Sequence, residues 1–134
     1  MGARTKARKR ALDVLFGAEM RGEDAVEALD AAIAAGEAPG NPYTEVLVRG
    51  VHEHRAEIDG VLSARAQGWS LERMPAVDRN VLRIGVWEIL HADDVDAAVA
   101  ISEALTLVGE LSTDESPGFV NGVLASVVRE QRQA

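Results

Sequence analysis

Apolar residues along this chain recur at spacings of three and four rather than two, so the pattern predicts helices as the only regular structure. From about Ala3 to Met20, the residues Ala7, Ala11, Val14, Leu15 and Ala18 form one apolar stripe, and Arg21-Gly22 ends it. A weaker helix from about Asp24 to Ala34 carries Val26, Leu29 and Ile33 on one side and runs into a Gly36 to Gly40 loop. Asn41 is then placed to cap a helix with Pro42 at its first position, where the missing N–H is no loss, and one long helix is expected from there to about Ala64.

Trp69 and Ser70 lead into a short helical turn at Leu71 to Met74, and Pro75 interrupts it before a helix from Ala76 to about His91. Val77, Val81, Leu82, Ile84, Val86, Trp87, Ile89 and Leu90 leave that helix little face for water, so it is the predicted central buried element. Asp96 caps a further helix with a core stripe at Ala98, Ile101, Leu105 and Val108. Ser116-Pro117 opens the last helix, whose stripe is Val120, Val123, Leu124, Val127 and Val128, with Arg129 to Ala134 expected to fray. No internal repeat, low-complexity tract or long linker divides the 134 residues, and a single all-α domain over 1–134 is expected.

Charge changes this picture. The net charge of −8 conceals a segment, residues 1–10, in which Arg4, Lys6, Arg8, Lys9 and Arg10 meet no acidic residue, so a +5 arm precedes a body of −13. Such an arm suits local phosphate binding, with the acidic body repelling nucleic acid elsewhere. By composition alone, a solvated basic terminus or an Arg-rich transit peptide fits as well. The absence of cysteine removes disulfides, thiolate metal sites and a cysteine nucleophile. With no apolar run near the roughly 18 residues that span a bilayer and no secretory start, no membrane association and a cytoplasmic location are expected.

Candidate chemistry is sparse. His52 and His54 stand two apart, so on one helix they point about 200° from each other and cannot chelate one ion as an i, i+4 pair does; neither they nor His91 have a partner visible in sequence, and no metal or cofactor is expected. No phosphate loop, nucleophile elbow or dinucleotide fingerprint is present, and nothing argues for an enzyme. Arg83, inside the most apolar helix, needs carboxylate partners, for which Glu88 and Glu103 are candidates in a structural ion pair. Two features remain open. Leu12, Phe16 and Met20 form a second ridge opposite the main stripe of the first helix, to be covered either by another helix or by a partner protein. Phe119 lies at the edge of the last helix's stripe, beside a helix N-terminus, where it serves either a peripheral core or base stacking.

Three strings, Asp78-Arg79-Asn80-Val81-Leu82-Arg83-Ile84 through Trp87-Glu88, Ala100-Ile101-Ser102-Glu103-Ala104, and Phe119-Val120-Asn121-Gly122-Val123-Leu124, resemble in order and spacing the signatures of the NusB family; the basic start running into Ala11 through Phe16 matches as well. The resemblance spans essentially the whole chain. It implies six to seven helices in two perpendicular three-helix bundles and a role in processive transcription antitermination of ribosomal RNA operons. The RNA implied is single-stranded boxA, bound together with the ribosomal protein NusE within the RNA polymerase antitermination complex. Carried onto this sequence, the RNA-binding positions are Arg4, Lys6, Arg8 and Phe119, and the NusE-binding positions are Phe16, Glu72 and Asp78. With Glu72 and Asp78 expected to stay exposed around Pro75, the ridge and these carboxylates would form an apolar anchor with an acidic rim. The resemblance departs where many relatives carry lysines and this chain has Gly109 and Gly118, which makes the RNA face less positive.

Two other functions compete. A NusB-like domain also precedes the catalytic domain of some ribosomal RNA methyltransferases, but the sequence ends at Ala134 without a methyl-donor-binding domain, so no enzyme is expected. The alternative within the family is an adaptor of the antitermination complex with weak or absent RNA binding of its own. Since some members self-associate, monomer and homodimer both stay open.

Overall fold

The computed structural model describes residues 2–37, 40–66 and 70–133, with no side-chain description for the last two; the expected lead-in at Trp69 and the centre of the Gly36 to Gly40 loop lie outside these residues. Seven α-helices and one 3-10 turn, and no strand, occur among the described residues. They form two compact units, Met1–Glu53 and His54–Ala134.

The first unit holds α1 (Ala3–Arg21), α2 (Ala25–Ala34) and α3 (Pro42–Glu53), each packed against the other two. Gly22 ends α1 because its φ of 67° is left-handed, and the N–H of Glu23 returns to the Ala18 carbonyl at 2.8 Å. Asp24 caps α2, accepting the N–H groups of Val26 and Glu27 at 2.9 and 3.0 Å. The bond from Glu27, then the nearby His52, hold the Asp24 carboxyl below its ordinary range. Asn41 caps α3 as expected, its Oδ1 accepting the Tyr43 N–H at 2.9 Å with Pro42 opening the helix. The core of this unit collects Ala7, Ala11, Leu12, Leu15 and Ala18 from α1, Leu29 from α2, and Tyr43, Leu47, Val48 and Val51 from α3.

The expected long helix from Pro42 to Ala64 is two. Backbone angles of φ −104° and ψ 18° at His54 leave the helical region, and α4 starts afresh at Arg55 and runs to Arg65. In the second unit α4, the 3-10 turn Leu71–Arg73, α5 (Ala76–His91), α6 (Ala97–Leu111) and α7 (Ser116–Gln133) surround one core, with α5 packed on α4, α6 and α7. Every residue from Asn80 to Ile89 is buried, which makes α5 the enclosed helix its composition implied. Two helices differ from expectation. On α6 the buried face is Ala100, Ala104, Leu107 and Val108, while Ala98 is exposed and Ile101 and Leu105 are half-exposed. The tail expected to fray is helical to Gln133, where Gln131 Nε2 donates to the Ile89 carbonyl at 3.3 Å and Arg65 pairs with Glu130. No helix is long and apolar enough to cross a membrane among the described residues.

Gly85 is a close-packing glycine. A Cβ there would meet the Leu124 methyls at 2.9 and 3.1 Å, so the α5–α7 contact depends on its bare backbone. Gly60, in α4, faces open space. Gly85→Ala is therefore expected to destabilise by about 1–3 kcal/mol in denaturant titration. Gly60→Ala should stabilise by up to about 1 kcal/mol, because alanine costs less backbone entropy in a helix interior.

Candidate nucleic-acid interface

The sequence-derived positions fall in two groups: Arg4, Lys6, Arg8 and Phe16 on α1 in the first unit, and Glu72, Asp78 and Phe119 in the second. On α1 the cations divide by helical phase. Arg4, Lys6 and Arg10 are exposed, whereas Arg8 is 3% exposed. The Arg4 guanidinium stacks over the Tyr43 ring at 4.3 Å from its centroid, and that of Arg8 lies 5.6 Å away. Tyr43 thus orients two cations with one ring. The start of α3 is tied to α1 where Asn41 Nδ2 donates to the Ala3 carbonyl at 3.3 Å and Thr44 Oγ1 to the Ala7 carbonyl at 3.0 Å. Beside these ties runs a groove of about 480 Å³ with Lys6 and Arg10 in its wall. Cations held on a rigid helix beside a groove match an extended polyanion better than a point ligand. Arg8, expected among the phosphate contacts, is buried rather than exposed, with its guanidinium near Tyr43. Arg10, which sequence reasoning counted only as charge, stands in the groove wall.

The second ridge of α1 is also revised. Leu12 is 2% exposed and belongs to the core, so the ridge reduces to half-buried Phe16 and to Met20, 55% exposed. The spacing gave Leu12 and Met20 the same face but could not register that the helix is enclosed near its middle and open near its end.

In the second unit, Phe119 sits half-buried in the first turn of α7 and borders a cavity of about 450 Å³, together with Arg73, Met74, Pro75, Thr113 and Ser116. Glu72 is exposed on the preceding 3-10 turn. Asp78 is not exposed as expected; only 2% of it is accessible. Its Oδ1 accepts from Ser112 Oγ at 2.5 Å and its Oδ2 from Ser116 Oγ at 2.8 Å, which joins α5 to the segment that opens α7. The carboxylate turns inward because it finds two hydroxyls and the positive end of α7 there. Its neighbours are equally structural. Arg79 donates to the carbonyls of Leu71 and Met74 at 2.8 and 3.0 Å, Asn80 to Ala76 at 2.9 Å, and Arg83 makes a two-pronged pair with Asp59 at 2.9 and 3.2 Å. Asp59, on α4, was not among the carboxylates considered for Arg83, because 24 residues separate them and no local spacing signals the pair. Gly109 and Gly118 are both exposed with open space where a Cβ would stand, so these positions add no positive charge.

An all-helical protein with a cation-lined groove on one unit and an aromatic-edged cavity on the other is built as a binding scaffold. The comparisons specify which kind: the NusB family model matches residues 5–129, and this chain belongs to the NusB family. It is 69% identical over 131 residues to "Transcription antitermination protein NusB" of a Nocardioides species, covering 98% of this chain and 97% of that one. Among solved structures it is similar to T. maritima NusB, with a TM-score of 0.85 at 31% identity over 96% of this chain and 92% of that chain. It is also similar to a chain in a crystal structure of the antitermination factors NusB and NusE in complex with double-stranded RNA, with a TM-score of 0.81 at 27% identity over 95% and 96% of the two chains.

Asp78→Ala removes the acceptor for two buried hydroxyls, and a loss of about 1.5–3 kcal/mol is expected in thermal or denaturant unfolding. Parental stability of the variant would return Asp78 to the exposed surface.

Proposed function

We propose that this protein is a cytoplasmic transcription antitermination factor, without catalytic activity, that binds boxA-type single-stranded RNA together with NusE and supports processive transcription of ribosomal RNA operons within the RNA polymerase antitermination complex. The observation that carries this reading is the match along 98% of the chain to a relative named as a transcription antitermination protein. The exposed cations of α1 and the ring of Phe119 supply the chemistry: Arg4 and Lys6, with Arg10 added, neutralise phosphates, and Phe119 stacks on a base at the mouth of its cavity. Arg8 positions this array rather than contacting RNA.

For NusE, Phe16 with the adjoining Met20 is the apolar anchor, and Glu72 is an accessible carboxylate suited to a basic ribosomal protein. Asp78 leaves this contact set because its carboxylate is already engaged inside the second unit.

Labelled boxA RNA, titrated at several salt concentrations, tests the RNA assignment. Replacing Arg4 and Lys6 together by Ala should lower the log–log salt slope by up to about 1.4, taking about 0.7 per lost contact on a single strand. Arg8→Ala should instead lower the melting temperature. Phe119→Ala should weaken RNA binding by about 1–3 kcal/mol with little change in folding. Equal affinity of the parent for boxA and a scrambled strand, with NusE still bound, would favour the adaptor function.

The NusE surface has its own readout. Phe16→Ala is expected to weaken NusE binding by about 2 kcal/mol or more, chiefly through faster dissociation in a surface-binding experiment. Parental NusE affinity in a folded Phe16→Ala protein would remove α1 from that surface.

A further inference from the structure

The three histidines had no partner in sequence, yet two of them meet across the second unit. His54, at the N-cap of α4, and His91, the last residue of α5, stack their rings face to face with centroids 3.9 Å apart and planes 22° apart. Glu57, three residues after His54 on α4, places one carboxylate oxygen against both: Oε1 accepts from His91 Nε2 at 2.6 Å and lies 3.6 Å from His54 Nδ1. One donor atom from each of the three residues lies within 4.8 Å of the others.

We propose that His54, Glu57 and His91 form a binding site for a zinc-type divalent cation, which joins the start of α4 to the end of α5. Two imidazole nitrogens and one carboxylate oxygen are the donor set of zinc sites that keep a position open for water. Magnesium and calcium, which prefer all-oxygen shells, are disfavoured. Zinc–ligand distances near 2.0–2.2 Å put tetrahedral donors about 3.4 Å apart, so closing the site means turning the two rings out of their stack until their in-plane nitrogen lone pairs converge, with Glu57 Oε1 drawing back from His91 Nε2. The side chains have that freedom, since Glu57 is 51% exposed, His54 34% and His91 27%. The His91–Glu57 hydrogen bond already holds ring and carboxylate in one another's reach, and zinc would replace the shared proton between them. The backbone is compatible with the same outcome: His54 is the N-cap residue of α4, three residues before Glu57, a spacing that lets the two side chains share one face. The ion would act as a staple between helices, adding a link beside the Asp59–Arg83 pair that joins the same two.

Titration of zinc chloride into tag-free, chelator-stripped protein, followed by calorimetry and by the histidine ring resonances, tests the site. One equivalent should bind, shifting the resonances of His54 and His91 and sparing His52, which lies by Asp24 in the first unit and serves as an internal control. Zinc at a hundredfold excess over its dissociation constant should raise the melting temperature by about 5 °C or more. Glu57→Gln and His91→Gln, first shown to be folded by melts in chelator, should each lower zinc affinity at least about tenfold. Unmoved His54 and His91 resonances in the parent would overturn the proposal, and so would parental zinc affinity in both variants or a response centred on His52.

Discussion

The carboxylate of Asp78 is buried at the start of α5 and held by the hydroxyls of Ser112 and Ser116, and the guanidinium of Arg83, one and a half turns later, is buried against Asp59. Neither charge has bulk water to fall back on, so each requires its partner to be delivered by another helix. These two requirements arrange the second unit. Asp78 fixes where α7 begins relative to α5, Arg83 fixes α4, and Gly85 lets Leu124 of α7 approach the backbone between them. The apolar contacts supply the burial, while the polar ones select a single packing among the many that an alanine- and valine-rich helix permits.

That division gives the most recognisable string in the sequence a structural role. From Asp78 to Arg83 the polar side chains are engaged within the second unit. The groups proposed for partners keep part of their surface accessible: the exposed cations of α1, Phe16 and Met20, Glu72, and Phe119 beside its cavity. Tyr43 links the two kinds of residue, since its ring is itself buried yet faces the guanidinium of exposed Arg4.

The helical class, the capping of α3 by Asn41 and the enclosure of α5 were legible in the sequence because each follows from local spacing or from one residue's backbone preference. What was not legible depended on tertiary partners. Asp78 next to Pro75 reads as a surface carboxylate until the serines 34 and 38 residues away are brought to it. Leu12 and Met20 share a ridge, but only the packing distinguishes the covered end from the open one. Arg8 and Lys6 are equivalent as charge and differ only by helical phase relative to α3. The His54–Glu57–His91 group was invisible for two reasons: the helix break at His54 leaves no signature in the residue pattern, and His91 comes from 34 residues beyond Glu57.

Hydrogen–deuterium exchange of the chain alone and bound to boxA RNA separates a structural role for α5 from a binding role. Added protection is expected in the first turns of α1 and α7, around Lys6 and Phe119, with the amides of α5 equally slow in both states. Protection gained or lost chiefly between Asp78 and Leu90, with both first turns unchanged, would contradict the structural role of α5.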